Sequence, residues 1–216
     1  MGSLAALKNQ LAFIRSFYLT ASTPFEGLLR KHNPLNASSE DLQPYEEERW
    51  QEAQKGFEVL GQCSLSLVSK AIQDYLREVA GSGINHFRKK AKESWFDRYC
   101  CFLEENTSFR WVDSPVARDL LEQINLCRND FQHDPEIDGS QPQKDLRHFE
   151  KHPQSRFDDP LEQAVKLAFA KVTGEEPRNT PGSLTVTRVE LFKAISDAGT
   201  FCEYVETQTF SKPQQS

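Results

Sequence analysis

The sequence predicts an all-α protein, a helical bundle with one long central helix and an irregular polar insertion. Apolar residues recur three and four positions apart along most of the chain, which is the spacing of amphipathic helices. No stretch alternates convincingly between apolar and polar residues, and the nearest, residues 184–189, is too short to carry a sheet. Helices with one apolar face are buried most simply by packing against one another.

Two helices are expected ahead of the main bundle. Residues 3–17 have apolar side chains at helical spacing. Ser22-Thr23-Pro24 then has the pattern of an N-cap followed by proline at the first helical position, so a separate short helix is predicted over 24–31. We interpret residues 1–32 as an extension of a single domain that covers 1–210.

The central helix is predicted over 44–79. Its apolar positions keep the same phase across Gly56 and Gly61, which favours one helix over two. A helix of roughly 35 residues is about 50 Å long. Gly81-Ser82-Gly83 has the composition of a helix C-terminus.

The next segment, 84–106, is expected to be helical with a break near Lys92. It contains the dense basic run of the chain, which consists of Arg88, Lys89, Lys90 and Lys92. Such a run is most simply a solvated helix face, but it can also attract phosphate groups. These four residues are therefore the candidate substrate-binding residues.

The following helix is predicted to open at Ser114-Pro115 and to run to His133. Residues 134–159 form the polar insertion, which contains Gly139, Pro142 and Pro153 and is expected to hold one short helix at 145–151.

Two more helices complete the prediction. Asp159-Pro160 should cap the first, and Thr187-Arg188-Val189-Glu190 has the pattern of a capping box for the second. The tail 211–216 is polar and is expected to be frayed. The side chains predicted to form the buried face of the first of these helices are Leu161, Val165, Ala168, Phe169 and Val172.

Charge and cysteine content restrict the classes of function. The 216 residues carry a net charge of −6, which argues against a protein that coats nucleic acid by bulk electrostatics but leaves room for a local phosphate site. No apolar run approaches the roughly 20 residues of a membrane-spanning helix, so no membrane partner is expected. Five cysteines without CxxC spacing suggest reduced thiols in a cytoplasmic protein. No Cys or His pair has zinc-ligand spacing, so neither a metal nor a cofactor is expected.

Three residues at the end of the helix 115–133 form the candidate catalytic site. Arg128 suits bidentate contact with a phosphate, and Asn129 follows it directly. His133 lies in the last helical turn, where the helix dipole favours its protonated form and suits it to acid–base chemistry. In a regular helix, Arg128 and His133 point roughly 140° apart. They would meet if the helix end loosens before Pro135, or if two copies of the chain come together.

The same residues also have a simpler explanation. Basic residues are favoured in last helical turns by the dipole alone. The Arg-x4-His spacing occurs a second time in the chain, at Arg147 and His152. Because Arg128 falls within the apolar arc of its helix, it needs a partner, such as a second subunit or a carboxylate from Glu122 or Asp130 of a facing chain.

The segment Leu121-x2-Ile124-x3-Arg128-Asn129-x3-His133 resembles the signature motif of the HEPN superfamily. The resemblance implies an all-α bundle that forms a homodimer with the two motifs facing each other. It also implies a metal-independent endoribonuclease, a hydrolase of the toxin or defence type, with RNA as substrate and an antitoxin protein as a candidate partner. Arg128 would hold the scissile phosphate, and Asn129 would orient the phosphate or His133. His133 would act on the 2′-hydroxyl or on the leaving 5′-oxygen.

Two alternatives remain at this point. A non-catalytic HEPN-like module for dimerisation or nucleotide binding would use Arg128 and His133 as interface residues, and the acidic net charge favours it. The third interpretation is a helical adaptor without a catalytic or binding site. The Arg-Asn…His motif disfavours it.

Overall fold

The computed structural model of the chain describes residues 3–32, 44–87, 94–133, 146–173 and 184–210. Within these ranges the chain is helical and has no strand, only an isolated bridge between Asp158 and Leu184. The predicted all-α class is therefore confirmed. The helices are α1 (Ser3–Lys31), α2 (Pro44–Ala80), α3 (Gly83–His86), α4 (Trp95–Asn106), α5 (Arg118–His133), α6 (Leu146–Lys151), α7 (Pro160–Thr173) and α8 (Arg188–Phe210).

The two expected N-terminal helices are one continuous helix, so the predicted break at Pro24 was wrong. Ser22 does not cap a new helix, because its hydroxyl donates back to the carbonyl of Leu19 at 3.2 Å. Phe25, just past the proline, packs against α2 at Gly56. A proline inside a helix costs about 3 kcal/mol, and the packing of α1 on both sides of Pro24 outweighs that cost.

The long helix α2 is the centre of the bundle, as predicted. It packs against α1, α4, α5 and α8. Leu65, Val68 and Ile72 are among its fully buried side chains. Gly81 follows the helix with a φ of 54° and donates its N–H to the carbonyl of Arg77, which is a left-handed C-terminal cap.

Segment 84–106 contains two helices, α3 and α4, instead of one. Ser94 and Asp97 form a capping box at the start of α4: the Ser94 hydroxyl accepts from the Asp97 N–H at 3.0 Å, and the Asp97 carboxylate accepts from the Ser94 N–H. The basic run Arg88, Lys89, Lys90 and Lys92 lies outside the described residues.

Helix α5 begins at Arg118, three residues later than predicted. The hydroxyl of Ser114 bonds the N–H and carbonyl of Val116 in a turn and therefore does not cap a helix. The short helix expected in the polar insertion is present as α6. Phe157, farther along that insertion, is fully buried in the main core.

Helix α7 starts as predicted but does not bury the predicted face. The Asp159 carboxylate accepts from the N–H of Leu161 at 2.7 Å, which confirms the N-cap. However, Leu161, Val165 and Val172 are 73%, 60% and 87% exposed, and Ala168 is exposed as well. The side chain of Phe169 lies outside the described residues. The predicted buried face of α7 was therefore wrong, because the described core contains side chains of α1, α2, α4, α5 and α8 and none of α7.

Helix α8 closes the bundle. Its N-terminus has half of the expected capping box, because Thr187 accepts from the Glu190 N–H at 3.2 Å. The Glu190 carboxylate instead bonds Arg156. The predicted face, Leu191, Ile195, Ala198, Cys202 and Val205, is buried, together with Ala194 and Phe201.

Among the described helices, none combines the length and the apolar character needed to cross a lipid bilayer. The five cysteines, all of them in described parts of the chain, form no disulfide.

Candidate functional site

Buried contacts fix the rotation of α5, the helix that carries the Arg-Asn…His motif. Leu121, Ile124 and Cys127 are fully buried in the core. Beside them, the buried amide oxygen of Asn125 accepts from the hydroxyl of Ser69 on α2 at 2.7 Å. A buried polar pair has one favourable alignment, so α5 cannot turn about its axis without breaking it. Arg128 and Asn129 are consequently held at the edge of the buried face, partly exposed.

Arg128 differs from the other partly buried arginines of the described chain. Arg98 donates to the carbonyls of Ile84 and Phe87. Arg118 pairs with Asp97, and Arg188 pairs with Glu26. Arg156 pairs with both Glu190 and Asp197. Within the described residues, Arg128 bonds neither a carboxylate nor a backbone carbonyl. Among those residues, its Nη1 donates to Oδ1 of Asn129, at 3.5 Å. The guanidinium thus has no acidic partner in the described part of the chain, and an anion could bind it there.

The carboxylates that could have neutralised Arg128 are engaged elsewhere in the same chain. Glu122 bonds Lys151 and also His152, whose Nε2 lies 3.3 Å from the Glu122 carboxylate. Asp130 bonds His148. A facing copy of the chain would therefore present carboxylates that already have partners.

The structure brings together two of the three predicted catalytic residues, Arg128 and Asn129. His133 is the last residue of α5, so the backbone is helical across the whole motif. The side chain of His133 lies outside the described residues, as do Asp134 and Pro135.

A buried cluster beside the motif was not anticipated from the sequence. Asp130, two residues after Arg128, accepts a hydrogen bond from or donates one to Nδ1 of His148 on α6. Their side chains are 1% and 0% exposed. Together with the buried thiol of Cys127, they place one donor atom each within 4.8 Å of one another. In the sequence, the one indication of this cluster is the i, i+3 spacing of Cys127 and Asp130, which places them on the same helical face.

The second Arg-x4-His spacing, at Arg147 and His152, has a structural explanation. His152 is 8% exposed and pairs with Glu122, so it joins α6 to α5. The side chain of Arg147 lies outside the described residues. Next to this pair is an open cleft of about 510 Å³, lined by Asp119, Gln123, Lys151, His152, Pro153 and Gln154.

The loop after α6 is attached to α8 by a buried arginine. Arg156 donates from Nη1 to Asp197 at 2.7 Å and from Nε to Glu190 at 3.1 Å. Its backbone N–H donates to Gln123 of α5 at 2.9 Å. The motif helix is thus supported by α2, by α8 and by the segment that contains α6.

A charged pair at the other end of α5 stabilises the junction with α4. Burial disfavours the ionised form of Asp97, but hydrogen bonds from Ser94 and Arg118 outweigh that effect and hold its pKa below the usual 3.8. Arg118 therefore anchors the start of α5, far along the helix from Arg128.

The chain matches no protein-family model, no curated protein and no solved structure.

Proposed function

We propose that this protein is a metal-independent endoribonuclease of the HEPN type, a cytoplasmic toxin or defence enzyme that acts as a homodimer. The observation that carries the proposal is the state of Arg128. It is a partly exposed guanidinium with no carboxylate partner among the described residues, it adjoins Asn129, and it lies on the helix that ends at His133.

The proposed chemistry is transesterification of RNA. The 2′-oxygen attacks the adjacent phosphorus, its proton passes to one His133, and the bond to the 5′-oxygen breaks. The leaving 5′-oxygen receives a proton from the His133 of the second copy. Arg128 stabilises the charge that builds up on the phosphate oxygens, and Asn129 orients the phosphate. Acid–base help and charge stabilisation suffice for this reaction, so no metal ion takes part in it.

The regularity of α5 supports the dimer. Because the helix continues to His133, the loosened helix end that could bring Arg128 and His133 together within one chain receives no support. Positions 128 and 133 are roughly 140° apart around the axis of a regular helix, so a single helix does not favour their meeting. Two motifs that face each other across a two-fold axis would complete each site with residues of both copies.

The decisive experiment compares the wild-type chain with His133→Ala. Each is incubated with total RNA in EDTA, and each is expressed in a host whose growth is followed. We expect the wild type to cut RNA and arrest growth, and His133→Ala to cut about 10²–10⁴-fold more slowly, the usual contribution of a general acid or base. Arg77→Ala is the control, because Arg77 is exposed on α2 and its guanidinium lies 3.6 Å from the Asp74 carboxylate.

The alternative function predicts a different pattern. A non-catalytic dimerisation or nucleotide-binding module would bind a nucleotide or RNA through Arg128 without cutting it. If the wild type neither cuts RNA nor arrests growth, the ribonuclease proposal is wrong, and binding that is lost in Arg128→Ala would then identify the module.

A further inference from the structure

We propose that Cys127, Asp130 and His148 form a binding site for a Zn²⁺ ion that fastens α6 to the motif helix α5. The cluster is the one group of three potential metal-binding side chains found in the part of the chain that the structure describes. All three residues are buried. The proposed ion has a structural role and is not a reactant in RNA cleavage.

The donor types fit zinc. A thiolate, an imidazole nitrogen and a carboxylate oxygen are the three side-chain ligands that Zn²⁺ uses in proteins. With bonds of about 2.0–2.3 Å, the donors of a tetrahedral site lie roughly 3.3–3.8 Å apart. The three donor atoms are within 4.8 Å of one another, so small side-chain adjustments bring them to that spacing.

Three of the four positions of a tetrahedral site come from the chain. Cys127, Asp130 and His148 supply one donor atom each, and a water molecule fills the fourth position. Because the side chains of Asp130 and His148 are 1% and 0% exposed, a substrate cannot reach the ion, which suits a structural role.

Proton movements accompany binding. Cys127 releases its thiol proton to solvent and binds as the thiolate. The hydrogen bond between Asp130 and Nδ1 of His148 gives way to the two bonds that these atoms form with the ion. The imidazole proton moves from Nδ1 to Nε2, so that His148 binds in its neutral form.

The ordinary explanation of the Asp130–His148 pair is a buried hydrogen bond that joins two helices. That explanation concerns two of the three residues, whereas the thiol of Cys127 also lies within 4.8 Å of their donor atoms. The spacing of Cys and His residues along the sequence did not predict zinc, because the third donor comes from α6, eighteen residues after Asp130. Only the packing of α6 on α5 brings it close.

The test uses the purified full chain, stripped of metal and titrated with Co²⁺ and then with Zn²⁺. We expect one equivalent of Co²⁺ to produce the thiolate-to-cobalt charge-transfer absorption and Zn²⁺ to abolish it. Zn²⁺ should also raise the melting temperature, since an ion that binds only the folded state stabilises it. Both readouts are independent of RNA cleavage, so they stand whether or not the protein is a ribonuclease.

Matched variants locate the ion. Cys127→Ala should lose the charge-transfer absorption, whereas Cys202→Ala, which alters another fully buried cysteine, should keep it. His148→Gln can still hydrogen-bond Asp130 but is a poor ligand. It should bind Zn²⁺ about 100-fold more weakly or worse, because even second-shell changes weaken affinity 10–100-fold.

Circular dichroism establishes that each variant is folded. If one does not fold, the wild-type titration still decides the matter. A wild-type chain that shows neither the cobalt absorption nor a zinc-dependent rise in melting temperature would overturn the proposal, as would an unchanged absorption in Cys127→Ala.

Discussion

Arg128 is the residue on which the proposed activity depends most. A guanidinium that is partly buried usually has an acidic partner, as Arg118, Arg156 and Arg188 do here. Arg128 has only the amide oxygen of Asn129 among the described residues. This difference is a property of the folded chain, since the carboxylates that pair with the other three arginines are 21 or more residues away along the sequence.

We expect Arg128→Lys to lower kcat/KM for cleavage of an oligoribonucleotide by about 10²-fold. Lysine keeps the charge but cannot make two parallel hydrogen bonds to a phosphate, and the loss of one such donor costs about 10²–10³ in rate. Arg77→Lys is the control for the same exchange at an exposed position. Undiminished cleavage by Arg128→Lys would show that Arg128 does not contact the phosphate.

Asp97 is the residue whose ionisation should be visible in stability. Burial opposes its charge, but the hydrogen bonds from Ser94 and Arg118 prevail, so its pKa in the folded state is below 3.8. A carboxyl with a lowered folded pKa stabilises the protein above its unfolded pKa. That contribution disappears as the pH falls through the folded pKa.

At neutral pH we therefore expect Asp97→Asn to be less stable than the wild type by about 1 kcal/mol, the usual value of a helix cap. The difference should shrink as the pH is lowered from 5 to about 2, because protonation removes the wild-type advantage. Urea unfolding followed by circular dichroism measures it. Asp113→Asn, at an exposed position, controls for the general effect of removing a carboxylate. A difference that stays constant with pH would contradict the assignment.

At the scale of the element, α1 shows how packing overrides a local signal. Ser22-Thr23-Pro24 has the composition of a helix start, yet the helix runs through it. The contact of Phe25 with Gly56 on α2 lies beyond the proline, so a break there would lose packing that continues past Pro24. Gly56 is needed because a Cβ at that position would overlap the Phe25 ring.

This contact makes Gly56→Ala and Gly199→Ala an informative pair. In a helix interior, alanine is favoured over glycine by about 1 kcal/mol. At Gly199, on α8, an added Cβ would be in ordinary contact with Leu11, 3.7 Å away, so we expect a gain in stability of about that size. At Gly56 overpacking costs about 1–3 kcal/mol, so we expect a net loss. Thermal unfolding of both variants measures the two signs, and stabilisation by Gly56→Ala would mean that α1 and α2 are farther apart.

At the scale of the whole molecule, the proposed site requires two copies of the chain. Positions 128 and 133 lie on one regular helix, about 140° apart around its axis. The carboxylates of Glu122 and Asp130 have partners within the chain. A second motif across a two-fold axis is the arrangement that gives both residues a common substrate.

We expect light scattering of the purified chain to give twice the chain mass of 24.8 kDa. His133→Ala should have the same mass, which would separate a catalytic effect from a loss of assembly. A chain that remains monomeric at all concentrations tested would rule out the shared site.

The sequence by itself determined the helical class, the extent of α2, the caps at Gly81, Asp159 and Thr187, and the buried face of α8. These features depend on residues within a few positions of one another, where spacing and capping act directly.

Only the tertiary structure decided the rest. The continuity of α1 through Pro24, the exposure of the apolar face of α7 and the pairing of Glu190 with Arg156 depend on which helices share the core. The same is true of the meeting of Asp130 and His148, which are eighteen residues apart. Burial and ion pairing are set by neighbours that are distant along the chain, and periodicity identifies a face without saying what covers it.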